Sequence, residues 1–247
     1  MLRPSFPQCS RDATKKRWGV KSRAVHARKG LSPGARGGDS RLAAELRGQR
    51  RRRSRLRIVS VNAGLPRVAR WKGGRVRTAI FKEPVSSPVA VGRLGLEGDG
   101  QADLRVHGGP ARAVYAYPAQ HYPLWRCELD LPGLSFGMFG ENLTVEGLDE
   151  EAVRIGDRFR AGTAVIEATG PRLPCFKLAL RLEREAVVER MLATGRTGVY
   201  FAVVREGIVA AGDRLELMER AAGAPTVAET ARARSRTSSS DASDPSG

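Results

Sequence analysis

A cysteine on a proline-stiffened loop is the clearest candidate for chemistry in this 247-residue chain. Cys175 lies in the segment 171–178, PRLPCFKL, whose two prolines favour extended or turn backbone and interrupt any regular element. Arg172 and Lys177 flank the thiol, and nearby cations favour the thiolate, which is the form that attacks electrophiles or binds soft metals. The alternative is a buried, inert cysteine, which is the usual state of a lone cysteine.

Two polar, glycine-containing segments are the next candidates. In VHGGP at 106–110, His107 precedes Gly108 and Gly109, which permit close backbone approach and could present N–H groups to an anion. In GENLT at 140–144, Asn142 begins a predicted strand and could present its amide to a ligand. Ordinary turns are the alternative for both segments. Neither segment has the spacing of a P-loop or of a dinucleotide-binding fingerprint.

Two combinations of these side chains stay open from the sequence. His107, His121, Cys127 and Cys175 offer zinc-ligand atoms, although their spacing matches no compact zinc module. Cys175 and His107 could instead form a nucleophile–base pair, because such partners meet only in the folded chain. Three cysteines without a C-x-x-C pair argue against a disulfide scaffold and fit a reducing compartment, so we expect a cytoplasmic protein.

The pattern of short apolar runs predicts which elements position these residues. Seven β-type runs lie between turn signals, at 57–62, 78–82, 113–117, 142–145, 164–168, 199–204 and 214–217. Two helices are predicted, at 118–129 and at 182–192, with Gly195 ending the second. Because strands and helices do not alternate regularly, a closed or nearly closed antiparallel-rich barrel is favoured over a doubly wound sheet.

Most of the positive charge lies at the start of the chain. The first 57 residues hold 18 Lys+Arg and three acids, or +15 of the formal +17. We predict a disordered basic leader at 1–55, a barrel domain at 56–220 and a disordered tail at 221–247. The leader could bind nucleic acid or another polyanion, direct the chain to an organelle, or be dispensable. No run of 18 apolar residues predicts a membrane-spanning helix.

Taken together and in order, these segments resemble the MOSC family, named for the C-terminal domain of molybdenum cofactor sulfurases, and in particular its YiiM-like bacterial branch. The resemblance extends over about residues 56–220. It rests on SVN at 60–62, GDGQAD at 98–103, HGG at 107–109, YP at 117–118 with HY at 121–122 and Trp125, GENL at 140–143, GD at 156–157, PR-x-PC-x-KL at 171–178, GRTG at 195–198 and AGD at 211–213.

The resemblance implies a mainly β protein, with a MOSC-like β-barrel, a few peripheral helices and disordered tails. It also implies a bound molybdenum cofactor of the molybdopterin type, with Cys175 as the metal ligand and the catalytic residue. Cofactor-binding residues would be Arg172, Lys177, His107, Gly108, Gly109 and Asn142. Pyridoxal phosphate binding stays open as an alternative.

The implied activity is the reduction of N-hydroxylated compounds of the hydroxylaminopurine or amidoxime type. Electrons would come from a separate redox protein. A non-catalytic cofactor-binding or sulfur-carrier module is the alternative, because the helical domain that usually follows the barrel is reduced here to an opening at 226–229 and a Ser/Arg-rich tail. A polyanion-binding protein acting through the leader is the third hypothesis.

Overall fold

The computed structural model describes residues 56–102 and 108–240, which form a β-barrel with additional strands and four α-helices around it. The strands are β1 (Leu56–Ala63), β2 (Arg67–Trp71), β3 (Gly74–Thr78), β4 (Glu83–Val85), β5 (Val89–Gly92), β6 (Gly95–Leu96), β7 (Val114–Pro118), β8 (Leu143–Glu146), β9 (Arg158–Ala161), β10 (Ala164–Pro171), β11 (Val199–Arg205), β12 (Gly207–Val209) and β13 (Arg214–Glu219). The helices are α1 (His121–Glu128), α2 (Phe176–Leu182), α3 (Val187–Thr194) and α4 (Val227–Ser240). The predicted leader at 1–55, His107 and residues 241–247 lie outside the described residues.

Seven strands close the barrel in the order β13-β9-β10-β11-β7-β8-β1. Closure occurs where β1 pairs with β13, with Leu56 opposite Leu215 and Arg57 opposite Arg214. Neighbouring barrel strands are antiparallel except for β7 and β8, which run parallel. This arrangement confirms the mainly β barrel expected from the sequence.

Alternating apolar side chains fill the barrel interior. Ile58 and Val61 are both fully buried although they are an odd number of positions apart, because a β-bulge between Ile58 and Ser60 shifts the register. The tight turn between β9 and β10 requires glycine at Gly162, where φ is 58° and a Cβ would lie 2.2 Å from the carbonyl oxygen of Ile208.

A second apolar cluster lies outside the barrel interior and is mainly aromatic. Tyr117 stacks on Phe139 with a ring separation of 4.5 Å, and Trp125 of α1 donates a hydrogen bond of 2.7 Å to the Tyr117 hydroxyl. Helices α2 and α3 contribute Leu178, Met191 and other buried side chains to this cluster. The candidate functional residues described below lie beside it, on loops, at strand ends and in the first turn of α2.

Three predicted elements are wrong in their limits. Residues 78–82 are not one strand, since β3 ends at Thr78 and β4 begins at Glu83. The first predicted helix begins at His121 because the earlier Pro118 belongs to β7. The second, predicted at 182–192, begins only at Val187 as α3, because Glu183 adopts the left-handed conformation with φ of 54°. Leu182 instead ends α2, a helix that the sequence did not predict.

The predicted disorder of the tail is wrong for residues 227–240, which form α4. The start of α4 is a capping box, in which the Glu229 amide donates to Thr226 Oγ1 at 3.1 Å and the Thr226 amide donates to the Glu229 carboxylate at 2.7 Å. Val227, Ala228 and Ala231 are at most 4% exposed, so burial stabilises this helix against the barrel. None of the helices in the described parts of the chain is long and apolar enough to cross a membrane.

Candidate functional site

A cavity of about 90 Å³ forms where the loop after β10 meets the segments that follow β3 and β6. Its polar and charged lining includes Lys82, Asp99, Asn142, Arg172, Cys175 and Lys177. Four of these residues were predicted from the sequence to belong to the site. The fold therefore brings Arg172, Cys175 and Lys177 into one cavity with Asn142, which is 30 or more positions away along the chain.

Cys175 is partly exposed and lies directly before α2, with extended backbone angles of −134° and 174°. Its carbonyl oxygen accepts the Leu178 amide at 2.9 Å, which fixes the backbone at the start of the helix. The same residue lines a second cavity of about 390 Å³, which shares Arg112, Leu173 and Tyr200 with the first. The thiol is therefore at the boundary of two cavities rather than sealed in the core.

Arg172 is a buried cation with an unsatisfied donor. The residue is 8% exposed, its guanidinium lies 4.9 Å from the ring centre of Tyr115, and its Nη1 has no hydrogen-bond partner among the described residues. Burial alone would lower the pKa of Arg172, but the neighbouring Tyr115, Tyr200 and Cys175 raise it above its ordinary value, so the guanidinium stays charged. A buried, charged donor without an acceptor favours binding of an anion at this wall.

Lys177 and Asn142 differ in what they offer a ligand. Lys177, in the first turn of α2, is partly exposed in the cavity and makes no hydrogen bond or ion pair with another described residue. The buried Asn142 amide already contacts protein groups: it donates to Asp99 at 2.8 Å and accepts the Tyr115 amide at 3.1 Å. In this structure Asn142 holds the cavity wall together, and its role as a cofactor ligand stays a prediction.

An ion pair in the cavity wall was not anticipated from the sequence. The Lys82 ammonium contacts the Asp99 carboxylate, and both side chains are less than a tenth exposed. Burial lowers the pKa of Lys82, while the carboxylate of Asp99 opposes that shift. Because 17 positions separate the two residues, no local pattern identified them as partners.

The Gln101 side chain packs directly against the backbone of Gly108 and Gly109. The Gly109 amide donates to Gln101 Oε1 at 2.7 Å, and a Cβ at Gly108 would lie 2.2 Å from the same oxygen. The close approach expected of these glycines is thus made to Gln101. Their predicted role in cofactor binding stays a prediction, as does that of His107, which lies outside the described residues.

A buried carboxylate supports the turn that carries Asn142. Glu141 is fully buried and accepts hydrogen bonds from the Gly137 amide at 2.9 Å, the Phe139 amide at 3.1 Å and the Thr144 hydroxyl at 2.8 Å. Burial raises the pKa of Glu141 above its ordinary value, and hydrogen bonds from the Tyr122 hydroxyl, the Gly137 amide and the Thr144 hydroxyl act in the opposite direction. The carboxylate therefore fixes the turn at some electrostatic cost.

The zinc combination gains no support from the described parts of the chain. There, no group of three or more His, Cys, Asp or Glu side chains is arranged to hold a metal ion. His121 contacts the Glu150 carboxylate at 3.2 Å, and Cys127 is exposed on α1 rather than packed in the core. The candidate metal ligand that remains in the cavity wall is Cys175, which suits a metal whose other ligands come from a cofactor.

Comparisons with known proteins identify the family of the chain. A family model described as MOSC domain matches residues 103–216. The Bacillus subtilis protein YflK is 47% identical over 169 residues, which cover 68% of this chain and 76% of YflK. A Gibberella moniliformis protein named Reductase is 39% identical over 151 residues, covering 60% of this chain but 27% of the reductase. The crystal structure of YiiM from Geobacillus stearothermophilus matches with a TM-score of 0.60 and 34% identity, covering 77% of this chain and 92% of that one.

Proposed function

The chain belongs to the MOSC domain family, and on that basis we propose that it is an oxidoreductase that binds a molybdenum cofactor at Cys175 and reduces N-hydroxylated compounds. The observation that carries this proposal is the position of Cys175, partly exposed at the boundary of two cavities and close in sequence to a buried cation with an unsatisfied donor. The name of the Gibberella relative adds support for reductase chemistry.

The residues present fit the cofactor on chemical grounds. A cysteine thiolate is a soft ligand that suits molybdenum held by pterin sulfurs. The phosphate of the cofactor needs charged donors, and Arg172 Nη1 and the Lys177 ammonium are both available in the cavity wall. Cys175 lines both cavities, of about 90 Å³ and 390 Å³, so the thiol is accessible from each of them.

The proposed reaction breaks one N–O bond. A hydroxylamine R–NHOH takes up two electrons and two protons and yields R–NH₂ and water. The bound cofactor supplies the two-electron redox chemistry. The protein's own groups would fix the metal through Cys175, bind the anionic part of the cofactor through Arg172 and Lys177, and exclude bulk water.

Proton supply is the second task of the cavity wall. The Lys82 ammonium has a pKa lowered by burial, so it can release a proton more readily than an exposed lysine. Asp99 holds this ammonium in place, and Asn142 holds Asp99. Of the two protons that the reaction takes up, one converts the departing hydroxyl to water and the other goes to the nitrogen. These three side chains would provide and orient one of them.

The test is elemental analysis of protein made in a host that synthesises the cofactor. We expect near-stoichiometric molybdenum in the wild-type chain and loss of the metal in Cys175→Ser, with unchanged circular dichroism as the control for folding. Reduction of a hydroxylaminopurine and of an amidoxime would then be assayed with a chemical electron donor. A wild-type chain without molybdenum would contradict the proposal. Full metal content without reduction of either compound would favour the cofactor-carrier alternative.

A further inference from the structure

The hairpin formed by β2 and β3 carries a concentrated positive charge beside the cavity. Residues 67–78 contain five Lys or Arg side chains and no acid, and all five are exposed. The hairpin leads directly into the site, because Thr78 at the end of β3 lines the cavity that contains Cys175. The Arg77 guanidinium also donates to the carbonyl oxygen of Ala102, which lies in the same cavity wall.

The strand register separates the hairpin into two faces. The inward face carries Ala69, Trp71 and Val76, which are half-buried, and Trp71 packs against the aromatic cluster. The outward face carries Val68, Arg70, Arg75 and Arg77, all exposed. Arg70 lies directly opposite Arg75, and Val68 directly opposite Arg77.

The arginines of the outward face are not neutralised by the protein itself. None of the three forms an ion pair with an acidic side chain in the described parts of the chain. Like charges directly opposite each other in a β-ladder destabilise the pair. At Arg57 and Arg214, another cross-strand arginine pair, the neighbouring β8 brings Glu146 opposite Arg57. The two-stranded hairpin has no third strand to do the same.

We propose that the outward face of the β2–β3 hairpin is the docking surface for an acidic electron-carrier protein, which delivers electrons to the site at Cys175. This inference rests on the proposed function, because a reaction that consumes two electrons needs a donor that reaches the cavity. A protein partner fits the face better than a nucleic acid. Val68 is 52% exposed among the arginines, and arginine with apolar side chains is typical of protein interfaces. Trp71, the aromatic side chain that could stack on bases, points inward.

The first experiment measures binding and does not require the cofactor. A flavodoxin, used as an acidic electron carrier, is titrated into the full chain by isothermal calorimetry at low and at physiological ionic strength. We expect the triple variant Arg70→Gln, Arg75→Gln, Arg77→Gln to bind about tenfold more weakly than wild type, with the difference shrinking as salt increases. The matched control is Arg57→Gln, Arg205→Gln, Arg214→Gln, which removes the same charge. Like the hairpin set, the control set contains a cross-strand arginine pair, Arg57 and Arg214, and one arginine, Arg205, that donates to a backbone carbonyl. The control variant should bind flavodoxin as the wild-type chain does.

The second experiment separates docking from chemistry in the cofactor-loaded protein. With a small chemical reductant, all three proteins should reduce the N-hydroxylated compound at the same rate. With reduced flavodoxin, the hairpin variant alone should be slower, by about tenfold at low carrier concentration. If no donor supports turnover, the proposed function fails, and the calorimetry still decides the docking surface.

Three results would overturn the inference. The first is that the wild-type chain fails to bind flavodoxin. The second is that the hairpin and control variants lose affinity equally, which would indicate a general charge effect. In the third, the hairpin variant loses affinity for a single-stranded oligonucleotide while its affinity for flavodoxin is unchanged, which would assign the face to nucleic acid.

Discussion

Under the proposed function, Arg172 is the side chain expected to retain the anionic part of the cofactor. Lysine at this position keeps the charge but cannot place a second nitrogen where Nη1 lies, so Arg172→Lys should lose one charge-assisted hydrogen bond, worth about 1.5–3 kcal/mol. This loss corresponds to an affinity for the cofactor that is at least about tenfold weaker. We therefore expect less molybdenum to remain bound to Arg172→Lys after dialysis than to the wild-type chain. The control is Arg196→Lys, since Arg196 also lies over an aromatic ring, 5.1 Å from the Trp125 centre, but outside both cavities. Equal retention in the two variants would contradict the assignment.

Glu141 gives the protein a specific pH dependence. Its pKa is raised in the folded state, so between the ordinary carboxyl value and this raised value the native state binds more protons than the unfolded state. The free energy of unfolding should therefore be greatest at the acidic end of that interval and decrease as pH rises through the raised pKa. Glu141→Gln should abolish this decrease, whereas Glu146→Gln, at an exposed position on β8, should keep it. Urea unfolding at a series of pH values measures both slopes.

Single residues differ in how far the sequence revealed them. Cys175 and Arg172 were identifiable because two prolines and two cations surround the thiol within a few positions. Lys82 and Asp99 were not identified as an ion pair, although Asp99 lies in the GDGQAD segment at 98–103, because their contact exists only after the chain has folded. Asn142 lines the cavity, but its hydrogen bonds with Asp99 and Tyr115 depend on side-chain positions that no spacing encodes.

At the level of elements, the turn before β11 connects the barrel to the site. Gly198 has φ of 68°, and a Cβ there would lie 2.6 Å from the carbonyl oxygen of Ala116 and within 3 Å of the rings of Tyr115 and Tyr117. Gly195, with the same φ, has open space around the position of a Cβ. The two glycines therefore separate the cost of left-handed backbone from the cost of a steric clash.

Alanine at each position tests this separation. Gly195→Ala should destabilise the protein by about 1–2 kcal/mol, the cost of left-handed backbone for an L-residue. Gly198→Ala should cost about 2 kcal/mol more, since backbone on one side and two buried rings on the other cannot move away cheaply. It should also lower molybdenum retention, because Tyr115 lines the cavity. Similar unfolding free energies for the two variants would show that the turn can relax.

Element boundaries were the weakest part of the sequence prediction, for a physical reason. Apolar residues continue at helical spacing from Leu182 through Val187 to Met191, so the pattern indicates one helix. The break depends on Glu183 adopting a left-handed conformation, which its residue type does not favour. The barrel strands were predicted better because alternating β-branched runs bounded by Gly–Asp turns are locally encoded.

For the molecule as a whole, the order of the barrel strands explains why distant segments form one site. β7 lies between β11 and β8, so Tyr115 reaches the cavity beside Asn142 and Tyr200. β10 pairs with β11 and ends at Pro171, which delivers Arg172 and Cys175 to the same place. The site thus depends on closure of the barrel, and it should be lost together with the fold rather than before it.

The C-terminal helix links the stability of the whole molecule to the second cavity. Val227 belongs to the barrel core, Ala228 and Ala231 are buried with it, and Arg234 lines the second cavity together with Cys175.

A chain that ends at residue 226 should lose about 2–4 kcal/mol of unfolding free energy, because one valine and two alanine methyl groups are no longer buried. It should still fold, because the seven barrel strands remain. A chain that ends at residue 240 is the control and should match the full length. Urea unfolding and molybdenum content are measured on all three, and a truncation at 226 that changed neither would show that α4 does not contribute to the core or to the site.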